Sequence, residues 1–242
     1  YVQDAFGMTT RLQKEVERPT KIYDDCWYER AMTEYFTRNL AHNENRINHC
    51  RLVPFWQLYL YCAKVKGNDD FYKDLYEAVR TTPNPATAGK CQLEFVKKAC
   101  AAAKMDLTPF FEKFGFLKPF RQEVNDYGKR MFEVTAEDIE QTRKEIKAKK
   151  YPKQQLPFWY ITDNTVDLFK NPQPVETGTA VCKGNTFTMK DWKGVVAYEV
   201  FQKGKLVFVA PLQQFTVEGV AVDEKTKVYA IAADGKKTKV DF

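Results

Sequence analysis

The stretch RLVPFWQLYLYCAK, residues 51–64, is the densest apolar segment of this 242-residue chain. Its apolar side chains recur at steps of three and four residues, which places them on one face of a helix; that face consists of Leu52, Phe55, Trp56, Tyr59, Leu60 and Ala63. The segment is shorter than the roughly 20 apolar residues that cross a bilayer, and Gln57 interrupts it. The pattern predicts a buried core helix whose Gln57 amide and tyrosine hydroxyls need internal partners.

Other segments with helical periodicity surround this one. They cover residues 23–40, 68–80 (NDDFYKDLYEAVR), 90–104 (KCQLEFVKKACAAAK), 106–116 (DLTPFFEKFGF) and 135–150 (TAEDIEQTRKEIKAKK), while YVQDAFG, residues 1–7, is typical of a helix end closed by Gly7. In the segment 68–80 the predicted inward stripe is Phe71, Tyr72, Leu75, Tyr76 and Val79. In the segment 106–116, Thr108 is the predicted N-cap and Gly115 the predicted end. Residues 1–150 are therefore predicted to form an all-helical unit.

The periodicity changes after two prolines, Pro152 and Pro157, which frame a predicted linker at residues 151–157. Beyond it, short runs rich in β-branched and aromatic residues are separated by turns such as KGN, QKGK and DGKK. Six or seven short strands are expected within residues 158–242, with no helical stretch. This spacing predicts a small β-sandwich of the immunoglobulin or fibronectin type III kind.

Charge gives no sign of a polyanionic partner. The net charge is +6, from 38 basic and 32 acidic residues, and it is dispersed along the chain. A nucleic-acid-binding protein usually concentrates its Lys and Arg on one face. The only dense basic run, KEIKAKKYPK at residues 144–153, is interpreted as a solvated helix end and linker. We therefore predict no nucleic-acid partner and no membrane span.

Six cysteines show neither CxxC pairs nor the spacing of metal ligands. Cys91 and Cys100 lie nine residues apart on one predicted helix, on opposite sides, and cannot bond to each other. Small buried thiols are the simplest interpretation. A disulfide between Cys26 or Cys50 and a neighbouring helix stays open in an oxidising compartment.

No catalytic motif is present. The only histidines, His42 and His49, are separated by six residues, whereas a helical metal pair such as HExxH needs a spacing of three or four. They are expected to face solvent or to bond locally. Cys50 adjoins His49, but adjacent side chains diverge and no third group orients them. Dinucleotide, P-loop and nucleophile-elbow motifs are absent. We predict no catalytic residue and no metal ligand in this chain.

The candidate binding residues are aromatic or neighbour an aromatic residue. Trp56 and Gln57 lie in the central helix, Trp159 opens the predicted β domain, and Trp192 lies in the loop MKDWKG between two predicted strands. An indole ring exposed at a groove or loop can stack on a sugar ring. The alternative is that each packs inside its own unit.

Three segments resemble enhancin-like zinc metallopeptidases, a group similar to viral enhancing factors that includes enzymes acting on mucin-type glycoproteins. They are YVQDAFGMTTRL (residues 1–12), RLVPFWQLYLY (51–61) and LTPFFEKFGF (107–116), and the resemblance covers roughly residues 1–120. In such enzymes the HExxH motif and a downstream Glu bind zinc. This sequence contains no HExxH.

The resemblance implies that residues 1–150 are the carboxy-terminal part of a peptidase domain and that residues 158–242 are an accessory domain. The zinc ligands would then lie in a segment upstream of Tyr1, which is expected to be the main partner, and the substrate would be a glycoprotein. The parent protein would be secreted or attached to the cell surface. The alternative is a free-standing glycan- or protein-binding module of the cell surface, with a pure scaffold as the remaining hypothesis.

Overall fold

The computed structural model describes Leu12, residues 26–125 and residues 128–242. Within these ranges the helices are α1 (Trp27–Arg38), α2 (Asn48–Tyr59), α3 (Phe71–Thr81), α4 (Ala88–Ala103), α5 (Thr108–Lys113), α6 (Ala136–Ala148) and α7 (Val166–Lys170). In the part of the chain that is described, no helix has the length and apolar character needed to cross a membrane. The helix end predicted at residues 1–7 lies outside the described residues.

The stretch at residues 51–64 forms the centre of the helical part, as predicted. Helix α2 passes directly into a π-helical segment, Leu60–Val65. There the Lys66 N–H donates to the Tyr61 carbonyl five residues earlier, at 2.9 Å. Such wider turns are rare and are used where a helix must re-aim its side chains. Here the π-helical segment keeps four successive side chains, residues 60–63, in the core.

The buried face of α2 differs from the predicted one. Leu52 is 54% exposed, whereas Val53, Gln57 and Leu58 are fully buried. The prediction that placed Leu52 inward was wrong because the inward face was drawn from apolar side chains alone, whereas the observed buried face is centred nearer Gln57. A glutamine can enter a core when its amide finds internal acceptors.

The inward stripe predicted for α3 is correct only in part. Phe71, Tyr72 and Leu75 are buried, but Tyr76 and Val79 are exposed. The reason is geometric, since α3 packs on the rest of the molecule mainly through its first two turns.

Helix α5 lies where the sequence places it, with one cap displaced. Phe110, Phe111 and Phe114 are completely buried. The predicted N-cap, Thr108, is instead the first helical residue, and its N–H donates to the Asp106 carboxylate at 2.9 Å. Thr135 does cap α6, since its hydroxyl accepts from the Asp138 N–H at 3.1 Å.

The prediction of an all-helical unit over residues 1–150 was wrong at one place. Strands β1 (Phe120–Asn125) and β2 (Lys129–Val134) form an antiparallel hairpin, with Phe120 opposite Val134. The strands bury few side chains, so their pattern of alternation is too weak to recognise. Helix α4 approaches the hairpin at Gly89, where a Cβ would lie 1.6 Å from the Glu133 carbonyl oxygen.

The segment after the predicted linker packs with the helices. It begins with a 3₁₀ turn, Phe158–Tyr160, and continues into α7, so the expectation of no helical stretch after residue 157 was wrong. The ring of Phe158 stacks on Tyr61 at 3.9 Å and on Phe110 at 4.5 Å between centroids. The division into residues 1–150, 151–157 and 158–242 stays a prediction.

Seven strands follow, in agreement with the predicted number. They are β3 (Thr179–Lys183), β4 (Thr186–Lys190), β5 (Val195–Gln202), β6 (Lys205–Ala210), β7 (Gln214–Thr216), β8 (Thr226–Ala232) and β9 (Lys237–Val240). One antiparallel sheet has the order β3-β4-β7 and the other β6-β5-β8-β9. An apolar cluster shared by both sheets includes Phe187, Tyr198 and Phe215. We call residues 179–240 the β unit.

The four-stranded sheet is covered by the helical part on its other face. Val196, Val209 and Ile231 belong to the same apolar cluster as the helices. Helix α1 lies on the edge strand β6, where the Thr33 hydroxyl donates to the Val209 carbonyl (3.2 Å) and accepts from its N–H (3.0 Å). An edge strand is thereby closed against pairing with another chain.

A buried polar contact joins the same two parts. The Tyr160 hydroxyl donates to one carboxylate oxygen of Glu199 at 2.5 Å, and Lys237 donates to the other. Glu199 is 3% exposed. Because an unpaired buried carboxylate is costly, this arrangement stabilises only the docked form of the β unit.

The loop after α1 is held by a close backbone contact at Gly115. The His42 N–H donates to the Gly115 carbonyl at 2.9 Å. Gly115 has a φ of +70°, and a Cβ there would lie 2.1 Å from the Leu40 carbonyl oxygen. The position therefore requires glycine for two reasons, its backbone conformation and the space available.

Gly67 provides a matched control, since it has the same φ of +70° with no atom within 4 Å of an added Cβ. We expect Gly67→Ala to lower the free energy of unfolding by roughly 1–2 kcal/mol, the cost of left-handed strain. Gly115→Ala should cost about 2 kcal/mol more because the loop must also move. Urea unfolding of both variants checks this. Equal losses would contradict the contact at Leu40.

Candidate functional site

Two aromatic donors from different helices meet at the carboxylate of Asp163, which lies just before α7. The Tyr28 hydroxyl of α1 donates to Oδ2 at 2.8 Å, and the Trp56 indole N–H of α2 donates to Oδ1 at 3.1 Å. Tyr28 is completely buried, while Trp56 and Asp163 are half-buried. Hydrogen bonds to a carboxylate are among the stronger ones in proteins, so the indole plane is fixed.

Gln57 positions the segment that carries Asp163. Its amide nitrogen donates to the carbonyls of Trp159 and Ile161, each at 2.8 Å. Because both partners are carbonyl oxygens, which can only accept, the amide atom that faces them must be the nitrogen and not the oxygen. Gln57 is 0% exposed, so it acts as an internal support and does not contact a ligand directly.

Trp159 adjoins the same segment and is half-buried. The Lys113 ammonium lies 5.8 Å from its ring centroid and 4.5 Å from that of Phe36. Burial lowers the pKa of Lys113, as does the charge of Lys237, whereas Glu199 acts in the opposite direction. We call Tyr28, Trp56, Gln57, Trp159 and Asp163 together the Asp163 cluster.

The Asp163 cluster offers binding chemistry. A half-buried indole whose N–H is already occupied presents its ring for stacking, and a carboxylate next to it can accept from hydroxyl groups. The ring of Tyr59 lies 4.7 Å from that of Trp56 and extends the aromatic surface. Aromatic rings next to a carboxylate are residue types that can contact a sugar.

Trp192 lies outside the Asp163 cluster. Its side chain is 5% exposed, and its indole N–H donates to the Thr179 carbonyl at 3.1 Å. It packs edge-on against Tyr198 in the core of the β unit. Of the two alternatives for Trp192, packing inside its own unit describes the observed position.

Neither histidine is placed for metal binding. His42 is buried and stacks on Phe116 at 3.8 Å, and the Tyr35 hydroxyl, seven positions earlier, lies 3.4 Å from its Nδ1. Of the two predicted alternatives, it therefore follows local bonding and not exposure to solvent. Burial lowers the pKa of His42 to about 3, with a further contribution from Arg51. His49 is exposed and stacks on Trp27.

Within the residues that the structure describes, no three His, Cys, Asp or Glu side chains are grouped so that they could hold a metal ion. The zinc that the resemblance implies therefore does not fit the described residues.

The described cysteines are all free thiols. Cys26, Cys50, Cys62 and Cys100 are buried, in agreement with the interpretation as small core residues. Burial raises the pKa of both Cys62 and Cys100 to about 12, which makes them poor nucleophiles.

Trp56, Gln57 and Trp159 were among the candidate residues named from the sequence, whereas Tyr28 and Asp163, the other members of the Asp163 cluster, were not. Asp163 is 135 positions from Tyr28 and 107 from Trp56, and no local pattern marks such a contact. The sequence offers one weak local indication of Asp163, the turn-forming run TDNT at residues 162–165, which follows buried aromatic residues.

Residues 1–115 match the model of the family described as Peptidase M60, enhancin and enhancin-like. The predicted resemblance to this group is thereby confirmed over that range. No curated protein matches the sequence.

Solved metallopeptidases share the fold. One from Bacteroides thetaiotaomicron is 24% identical with a TM-score of 0.67, over 87% of this chain and 41% of that one. A metallopeptidase in complex with Tn antigen is 24% identical with a TM-score of 0.65, over 95% and 47%. The M60 catalytic domain of Clostridium perfringens ZmpC, in complex with sialyl T antigen, is 19% identical with a TM-score of 0.55, over 92% and 42%. The chain thus spans less than half the length of these structures.

The bond between Tyr28 and Asp163 can be measured by a double-mutant cycle. We expect Tyr28→Phe and Asp163→Ala to show a coupling free energy of about 1–2 kcal/mol, because the bond involves a charged acceptor. Urea unfolding of the single and double variants gives this value. The control cycle pairs Tyr28→Phe with Asp167→Ala, whose side chain is 90% exposed. Coupling of the same size in both cycles would contradict the assignment.

Proposed function

We propose that this chain is the carboxy-terminal, cleft-supporting part of an enhancin-like zinc metallopeptidase that acts on mucin-type glycoproteins, and that it is not catalytic alone. The observation that carries the proposal is the family match of residues 1–115 in a sequence without HExxH. The fold shared with longer metallopeptidases agrees with it. The zinc ligands and the catalytic water would then come from an upstream segment.

In this proposal the Asp163 cluster contacts the glycan of the substrate. Trp56 and Trp159 would stack on sugar rings, and Asp163 would accept from sugar hydroxyls. Gln57 would act as a positioning residue, and Trp192 would have no direct contact, because both are buried. Two structures with the same fold are complexes with Tn antigen and with sialyl T antigen, which supports a glycan-bearing substrate.

The β unit is proposed to be a fibronectin type III-like sandwich. If β3 to β9 are named A, B, C, C′, E, F and G, the two sheets have the orders A-B-E and C′-C-F-G. This division into three and four strands is the one typical of fibronectin type III domains, which share the sandwich architecture. The parent protein is proposed to be secreted or surface-attached, on the basis of the family resemblance alone.

The first test addresses catalysis. The purified chain is incubated with zinc chloride and a serine peptide that carries one α-linked N-acetylgalactosamine, and the products are analysed by mass spectrometry. We expect no cleavage and less than one zinc ion per chain by elemental analysis. Zinc-dependent cleavage by this chain alone would contradict the proposal.

The second test addresses the glycan. NMR titration with the same glycopeptide should shift the indole N–H resonances of Trp56 and Trp159. Trp56→Ala should weaken binding at least about tenfold, because stacking of a ring on an aromatic side chain contributes of the order of 1–3 kcal/mol. Tyr76→Ala is the matched control, because Tyr76 is an exposed aromatic residue at 59%. Binding that both variants retain would exclude the Asp163 cluster as the glycan site.

A further inference from the structure

We infer that the groove between helices α4 and α6 binds the anion of a medium-chain fatty acid, with its alkyl chain along the groove and its carboxylate on the lysines of the rim. The groove has a volume of about 450 Å³, which is within the range of small-molecule sites in proteins. It is lined by α4 from Glu94 to Ala101, by the end of α6 and by Tyr151. It shares no residue with the Asp163 cluster, so this ligand is independent of the proposed function.

Helices α4 and α6 lie side by side and run in the same direction. The Lys90 ammonium lies 3.6 Å from the Asp138 carboxylate, and the Lys97 ammonium lies 2.7 Å from the Glu145 carboxylate. The pair nearer the start of α4 is also nearer the start of α6, which defines the common direction. Both helices therefore end at the same side of the molecule, and the groove lies between their carboxy-terminal halves.

The floor of the groove is apolar. Ile146 is 3% exposed, and the half-buried Tyr151 packs against the same core. The two alanines that line the groove, Ala101 and Ala148, are exposed and too small to fill the space between the helices. Between Glu94 and Ala101, α4 advances about 10 Å along its axis. This length suits the alkyl group of a medium-chain fatty acid.

The two carboxylates of the groove are both held by Lys97. The Lys97 ammonium lies 2.6 Å from the Glu94 carboxylate and 2.7 Å from that of Glu145. The hydrogen bond from Lys97 lowers the pKa of Glu145, and the charge of Lys149 contributes in the same direction to a smaller extent. Neither carboxylate is within ion-pair distance of Lys98 or Lys149.

Lys98 supplies the observation that indicates an anionic ligand. It is half-buried, and among the described residues it has neither a hydrogen bond nor a carboxylate within ion-pair distance. Its ammonium nitrogen retains accessible surface, so a ligand can reach it. The helix dipole stabilises cations in the last turn, but the last turn of α4 has no basic residue and Lys98 precedes it. A half-buried ammonium without an acceptor costs free energy, and a carboxylate in the groove would supply the acceptor.

Further lysines give this end of the groove a positive potential. Lys149 lines the groove, and Lys104, Lys147 and Lys150 are exposed at the ends of the two helices. None of the four forms an ion pair with another described residue. Three of them belong to the basic run at residues 144–153, and folding brings the carboxy end of α4 beside that run. Such a potential raises the local concentration of anions.

The size and shape of the groove favour a small ligand over a macromolecule. A stable protein interface takes about 20–30 residues on each side, whereas nine residues line this groove. A surface that inserts into a membrane needs protruding apolar side chains. The large exposed apolar residues of the described part of the chain, such as Leu52 and Met131, do not line the groove.

The test titrates the whole chain with sodium octanoate. NMR follows the methyl resonances of Ala101, Ile146 and Ala148, and isothermal titration calorimetry gives the dissociation constant. Hexanoate and decanoate vary the tail, 1-octanol removes the charge, and acetate removes the tail. We expect the affinity to rise up to about fourfold per added methylene, because burying a methylene is favourable. 1-Octanol should bind about fivefold more weakly than octanoate, and acetate should leave the resonances unchanged.

Ala148→Trp places an indole in the groove and should abolish octanoate binding. Ala136→Trp is the matched control, since Ala136 is exposed on the first turn of the same helix and does not line the groove. Both substitutions replace exposed side chains, so both variants should fold, which circular dichroism checks. Octanoate binding that survives in Ala148→Trp would place the ligand elsewhere and contradict the inference.

Lys98→Gln and Lys149→Gln should each weaken octanoate binding about three- to fivefold and leave 1-octanol binding unchanged. Lys147→Gln is the control, because Lys147 is exposed two positions before Lys149 and does not line the groove. Equal losses with Lys147→Gln and Lys149→Gln would indicate a general charge effect. Equal affinities for octanoate and 1-octanol would exclude a role for the lysines.

Two further probes test other occupants of the groove. They are a helical peptide of alternating Leu and Glu pairs and vesicles of phosphatidylglycerol. A peptide that displaces octanoate at a lower concentration would assign the groove to a protein partner, and vesicle binding that depends on Lys98 would assign it to a membrane surface. The absence of binding by every fatty acid would exclude the site.

Discussion

The side-chain amide of Gln57 is the contact on which the rest of this structure depends. It is fully buried in α2 and donates to two carbonyls, those of Trp159 and Ile161, in a segment more than a hundred positions away. Both acceptors are backbone carbonyls that would otherwise be unpaired in the core, so the cost of losing the amide exceeds that of one ordinary hydrogen bond. The amide thus fixes residues 159–161 against α2.

Two features follow from that anchor. On one side, the chain leads within two residues to Asp163, which then accepts from Trp56 and Tyr28. On the other side, Tyr160 points to Glu199 in the β unit. The candidate glycan surface and the junction with the sheets are therefore supported by the same short segment, and neither forms without it.

Much of the fold was accessible from the sequence because it depends on local periodicity. Helices α1 to α6, the phenylalanines of α5 and the strands β3 to β9 all have patterns within single segments. The burial of β5 on both faces was not predicted, because Glu199 interrupts its apolar residues and finds its partners Tyr160 and Lys237 only in the folded protein.

The parts that could not be predicted depend on distant partners. Gln57 changed the buried face of α2 because its acceptors lie in another segment, and the exposure of Leu52 follows from that rotation. Asp163 becomes a neighbour of Tyr28 and Trp56 only after folding. Trp192 illustrates the converse, since a tryptophan in a loop can be a core residue when a backbone carbonyl accepts from its indole.

The central claim is that Gln57 couples the helical part to the β unit in one cooperative structure. Hydrogen exchange of Gln57→Leu, measured by mass spectrometry in peptides from α2 and β5, tests it against the exposed control Gln141→Leu. The account predicts that protection in β5 falls by the same free energy as in α2, while the control changes neither. Loss of protection in α2 with β5 unchanged would contradict it.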